Sequence, residues 1–160
     1  MIVYHGSSQE VKMPDTEHSY HPLDFGKGFY VTTVYEQAER WARRKKSLLG
    51  ADAAIVNQYI FREDLVESFR LKTFEEDLEE WIDFVCQCRD GSLEYQKYDL
   101  IYGKVADDKV FRVVDMYKSG IWDKERALKE IKVYDTYDQL AMITQKAIDK
   151  LLLFDSSKEV

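Results

Sequence analysis

The chain has 160 residues, with 23 basic and 30 acidic side chains and a formal charge of −7. That length fits one domain over residues 1–160, because two half-sized cores would each be marginal; a 45% share of hydrophobic residues excludes disorder. No apolar run reaches the roughly 20 residues of a membrane helix, and Met1–His5 lacks the basic-then-apolar order of a secretion signal. A surplus of acid also disfavours tight duplex-DNA binding, so a soluble, cytoplasmic protein with no membrane partner is expected.

In chain order, Met1–His5 reads as a buried strand that leaves into His5-Gly6-Ser7-Ser8. The polar stretch from Gln9 to Pro22 holds both prolines, which argues against helix or central strand there. Gly26-Lys27-Gly28 then feeds an aromatic, β-branched strand through Thr33. Tyr35–Leu49 reads as a helix with Ala38, Trp41 and Ala42 on its apolar face and Arg40 to Lys46 supplying a basic one. Thr33 and Glu36 have the spacing of a capping box, and Gly50 stands where the helix should stop. Ala53–Phe61 reads as a strand and Val66–Leu71 as a weaker one.

Phe74–Arg89 has helical spacing with Gly91 after it, Tyr98–Lys104 reads as a strand, and Asp107–Lys118 and Lys124–Ile131 read as helices. A strand at Asp138–Ile143, a helix at Thr144–Leu151 and a short strand at Leu151–Phe154 close the chain. Strands near both ends with helices between give an α+β class rather than a regular βαβ alternation. Cys86 and Cys88, two apart on a helix, point to different faces and read as ordinary reduced thiols with at least one in the core.

Two segments carry candidate chemistry. His5 stands at a strand end beside Gly6, whose missing Cβ lets a ligand approach the backbone. Phe25-Gly26-Lys27-Gly28-Phe29-Tyr30 offers a close-approach loop followed by aromatic stacking surface. It lacks the third glycine and following helix of a dinucleotide fingerprint, and the Gly-Lys-[Ser/Thr] ending of a phosphate loop.

The pair His5-Gly6-Ser7 and Gly26-Lys27-Gly28-Phe29-Tyr30, in this order, resembles the ADP-ribosyltransferase superfamily of diphtheria-toxin and poly(ADP-ribose) polymerase type, named for a His-Tyr-Glu trio. The chain is also similar to the bacterial DUF3990 family through Leu23–Tyr30, Gln37–Ala42 and Tyr98–Asp108. The resemblance implies split mixed or antiparallel β-sheets packed with helices, and NAD as co-substrate. His5 would hold the ribose beside nicotinamide, the Gly6 backbone and the Ser7 hydroxyl would read the amide, and Tyr30 would stack on the ring. Gly26, Lys27 and Gly28 would form the approach loop. Gln139 matches the third position, where it replaces Glu; a neutral amide there loses charge stabilisation of the transition state, worth about 10²–10³-fold in rate. Asp138 should point to the opposite face of that strand.

Each residue also has a plainer reading: His5 as a structural histidine, Tyr30 as core, Gln139 as an ordinary strand residue, and the Arg40–Lys46 face as solvated. His18 and His21 alone make a thin metal site. The expected function is mono-ADP-ribosyl transfer to a protein or nucleic-acid acceptor, in a bacterial toxin or phage-conflict setting with a cognate antitoxin. The alternatives are an NAD- or ADP-ribose-binding module with weak or no catalysis, and a structural partner protein held through the Glu75–Glu80 helix.

Overall fold

The structure, a computed structural model, describes residues 1–19, 23–74, 78–105, 108–131 and 137–160. It is α+β, as expected, with two sheets. The first orders β1 (Ile2–Ser7), β3 (Ile55–Phe61) and β7 (Leu152–Glu159) as β1-β3-β7, all antiparallel. The second orders β2 (Phe29–Val31), β6 (Asp138–Met142), β5 (Leu100–Lys104) and β4 (Leu71–Thr73) as β2-β6-β5-β4, with only the β4–β5 pair parallel. One antiparallel bridge joins the sheets, Tyr4 to Thr32.

The helices follow the apolar stripes. Helix α1 (Tyr35–Leu49) lays Ala38 and Ala42 against Val56 of the first sheet and Ala54 just before β3, and Gly50 ends it in the left-handed region at φ +59°. Helices α2 (Leu78–Arg89), α3 (Asp108–Lys118) and α4 (Lys124–Ile131) cover one face of the second sheet, where Trp81, Ile82, Val85, Val113 and Ile131 pack with Ile101 and Ala141. Between the sheets, Ala147, Ile148 and Leu151 of α5 (Gln145–Leu151) pack with Val3, Val31, Tyr59 and Met142. The molecule is thus layered, with α1 outermost on one side and α2–α4 on the other.

Several local expectations are corrected. Thr33 does not cap α1: its hydroxyl turns to Asp138, and the capping position is Val34, whose side chain has no acceptor to offer the first turn. A carboxylate 105 residues away outcompetes the local box. Val66–Leu71 is not a strand, because Glu63–Ser68 winds into a 3₁₀ turn and β4 begins at Leu71. Phe74 follows directly on β4 instead of opening a helix, its N–H bonding Tyr102 O at 2.8 Å, and α2 begins at Leu78. Strand β7 runs to Glu159, well past Phe154. Cys88 lies in the core and both thiols are free.

Candidate functional site

Strands β1 and β2 meet once and then part. Tyr4 N–H bonds Thr32 O at 2.8 Å and Thr32 N–H bonds Tyr4 O at 2.9 Å. In an antiparallel ladder the next hydrogen-bonded pair would be Gly6 with Tyr30, but both carbonyls take side-chain donors instead. His5 Nδ1 donates to Tyr30 O at 2.7 Å, and Lys45 Nζ, from α1, donates to Gly6 O at 2.7 Å. The same Nζ stands 3.4 Å from His5 Nε2.

This geometry sets the histidine's protonation. A carbonyl only accepts, so Nδ1 carries the hydrogen and the neutral ring keeps a lone pair on Nε2. Burial, then the Lys45 charge, lowers the His5 pKa to about 3 against the opposing hydrogen bond to Tyr30. The ring stacks on Phe29 at 4.2 Å between centroids. Burial likewise lowers Lys45 to about 8.

The glycines serve packing. A Cβ on Gly6 would stand 2.1 Å from Ala38 O and 2.7 Å from Ala42 N, so the element that uses its missing side chain is α1. Trp41 leaves α1 beside the same point, its Cβ 3.0 Å away. Gly26 has φ +83° and is pressed on the Tyr95 ring, where a Cβ would come within 2.3 Å; at Gly28 a Cβ would meet Met142 O at 2.7 Å. Lys27 Nζ pairs with Glu17 at 2.6 Å, on the surface. The Ser7 hydroxyl, nearly buried, accepts from Gln9 N–H at 3.4 Å.

Tyr30 is 7% exposed, and its ring lies with Phe25, Phe74, Trp81 and Ala141 on the α2–α4 face of the second sheet. Its hydroxyl donates to Gly26 O at 2.7 Å and accepts from Phe25 N–H at 3.0 Å. Phe29, its neighbour in β2, points to the other face. What reaches His5 from Tyr30 is therefore the main-chain carbonyl.

Gln139, 3% exposed, alternates with Leu140 and shares the Tyr30 face through Ala141. Its Nε2 donates to Lys104 O at 3.1 Å and Asp24 Oδ2 at 3.3 Å. Asp24 also accepts from Arg89 Nη2 at 2.6 Å and Nε at 3.0 Å. Asp138 points the opposite way, accepting from Thr32 Oγ1 at 2.8 Å, Thr33 N–H at 3.1 Å and Tyr102 OH at 3.3 Å. The structure thus gathers His5, Gly6, the Tyr30 carbonyl and Lys45, while Gln139 stands in a separate network on the other face of the sheet.

His18 Nδ1 lies 2.7 Å from Asp15 Oδ1 at the surface; His21, Asp107 and Glu75 to Asp77 lie outside the described residues. Among the described residues no group of three His, Cys, Asp or Glu side chains could hold a metal ion, and no helix is long and apolar enough to cross a membrane.

Lys45 is the member that sequence reasoning did not single out. Composition groups it with the basic face Arg40–Lys46, yet its spacing from Ala38, Trp41 and Ala42 places it on the apolar stripe. A cation on the buried side of an amphipathic helix was the available signal.

A family model described as "Protein of unknown function (DUF3990)" matches residues 1–154. No curated protein and no solved structure matches the chain significantly.

Proposed function

The chain belongs to the DUF3990 family, and we propose that it binds NAD at the opened β1–β2 edge and transfers one ADP-ribose to a protein or nucleic-acid acceptor. The observation that carries this reading is the parting of the two strands after Tyr4–Thr32, where Gly6 O and His5 Nε2 are left to a lysine side chain rather than to the sheet. Both are acceptors, and NAD brings matching donors: the nicotinamide amide N–H for Gly6 O and a ribose hydroxyl for Nε2. A neutral His5 is suited to that task, since its lone pair is what a hydroxyl needs.

In the reaction, the bond between ribose C1 and the nicotinamide nitrogen breaks, and its electron pair leaves with nicotinamide. The acceptor's nucleophile bonds C1 and releases its proton to solvent. His5 and Gly6 orient the ribose and ring for that displacement, the kind of positioning that supplies much of a catalysed rate.

A second reading, an NAD-binding module without turnover, is favoured by one specific observation. Gln139 is uncharged and bonded to Asp24 and the Lys104 carbonyl, and among the described residues no carboxylate hydrogen-bonds His5. Incubation with NAD labelled in the adenylate, with nicotinamide release followed in parallel, separates the two. Labelled acceptor in a lysate supports transfer; a thermal shift with NAD and no released nicotinamide supports the module. No shift and no release would remove both.

A further inference from the structure

Lys45 combines burial with an absence of opposite charge. It is half-buried, and its hydrogen-bond partners are the Gly6 carbonyl and the neutral His5 ring. Among the described residues no carboxylate pairs with it, although the chain holds 30 acidic residues. Its helix neighbours are engaged: Arg43 with Glu39, and Arg40 with the Tyr137 hydroxyl and ring. Lysine is seldom buried without a partner, because stripping water from an ammonium is costly. The lowering of its pKa to about 8 by burial is the same cost seen in its proton affinity.

We infer that Lys45 is an anion-binding residue whose counter-ion is a phosphate group of the ligand that enters the β1–β2 edge. The ligand class rests on the reading of the site as one for a nicotinamide nucleotide. Such a ligand carries three complementary groups. Its amide N–H replaces Lys45 at Gly6 O, its ribose hydroxyl replaces Lys45 at His5 Nε2, and its phosphate receives the ammonium so released. Nicotinamide riboside offers the first two only, and inorganic pyrophosphate only the third.

The test uses these as probes. Calorimetric titration of the full chain with nicotinamide mononucleotide, nicotinamide riboside and pyrophosphate is repeated for K45M and K45R, with melting curves to establish that each variant is folded. Methionine keeps the stem and removes the charge; arginine keeps the charge. The mononucleotide should bind about 10- to 100-fold more tightly than the riboside, as a hydrogen bond to a charged group implies. K45M should erase that advantage and K45R retain most of it. Equal affinities of mononucleotide and riboside in the wild type, or an advantage that survives in K45M, would overturn the role of Lys45 and leave the nicotinamide reading standing. Pyrophosphate binding that disappears in K45M, with no riboside binding, would support the anion site and remove the nicotinamide reading. No binding of any probe would overturn both.

Discussion

The α-carbon of Gly6 lies so close to Ala38 that a Cβ on it would stand 2.1 Å from the Ala38 carbonyl oxygen. Strand β1 and helix α1 are therefore pressed together at the point where β1 and β2 separate. That contact also sets how far Lys45 reaches, because its ammonium approaches Gly6 O from the next turn of the same helix. The glycine serves the site by letting the helix in.

Gly6→Ala is accordingly expected to push α1 from β1, since both backbone atoms it would strike belong to that helix. Overpacking of this kind costs about 1–3 kcal/mol. Denaturant melts should show the loss while Ser7→Ala, which removes a hydroxyl that accepts from Gln9 N–H at 3.4 Å, changes stability by less. An unaltered melt for Gly6→Ala would contradict the close packing.

Tyr30→Phe isolates what the phenol does. The hydroxyl satisfies Gly26 O and Phe25 N–H in the buried loop, so its removal leaves two main-chain groups without that partner. A loss of about 1–3 kcal/mol is expected, with the fold kept because the ring still fills its place among Phe25, Trp81 and Ala141. Thermal denaturation reads it directly; wild-type stability would show that the hydroxyl does not anchor the loop.

How much was legible in the sequence follows from how local each cause is. Helix α1 could be bounded because its stripe and Gly50 are near neighbours, and α4 because Lys124–Ile131 has a clear apolar spacing. The cap expected at Thr33 does not form because Asp138 competes for it from the far end of the chain. The end of β7 is hidden in the sequence because Ser156 to Lys158 are polar; it is their pairing with β3 that makes them a strand. His5 and Gly6 were legible as an odd pair, but no linear pattern shows whether a ligand or a helix approaches a glycine, nor that Gln139 faces Asp24.

The pH dependence of stability should carry a His5 component. Its pKa falls from 6.5 to about 3 on folding, chiefly through burial, then through Lys45. Above pH 6.5 the ring is neutral in both states and the folded chain has no penalty. As pH falls from 6.5 toward 3, the unfolded chain takes up a proton that the folded one refuses, so stability is lost across that window. The ceiling is about 1.4 kcal/mol per pH unit. His5→Asn should flatten the slope between pH 6.5 and 4 relative to wild type, as read by urea midpoints; identical slopes would mean that the folded ring titrates like a free one.

The Arg89–Asp24–Gln139 network gives the most demanding prediction, because it joins three elements through groups about one-tenth exposed. The Arg89 guanidinium grips Asp24 Oδ1 by two nitrogens and lies 4.1 Å from the Phe111 ring centroid. Its Nη1 is buried without a hydrogen bond, at 4.0 Å from Asp115. Arg89→Leu removes a cation and leaves the Asp24 carboxylate without it, a change that costs about 3–5 kcal/mol for a buried pair. Adding Asp24→Asn removes the carboxylate charge that Arg89 had balanced, so the double variant should recover part of the loss, whereas independent contributions would simply add. Gln139→Glu tests the same network from the other side. The new carboxyl faces Asp24 Oδ2 and the Lys104 carbonyl, both acceptors, so it should fold protonated, its single O–H donating to one of the two where the amide NH2 donates to both. Its folded pKa is then raised, so the variant's deficit relative to wild type should be small near pH 4 and grow as pH rises above the unfolded value. Chemical denaturation at pH 4 and pH 8 measures that difference directly. A deficit that does not depend on pH would show that the new carboxyl titrates as it does in the unfolded chain, and one that shrinks as pH rises would show that it reaches a cation; either would mean that position 139 is less closely bound to Asp24 than the geometry requires.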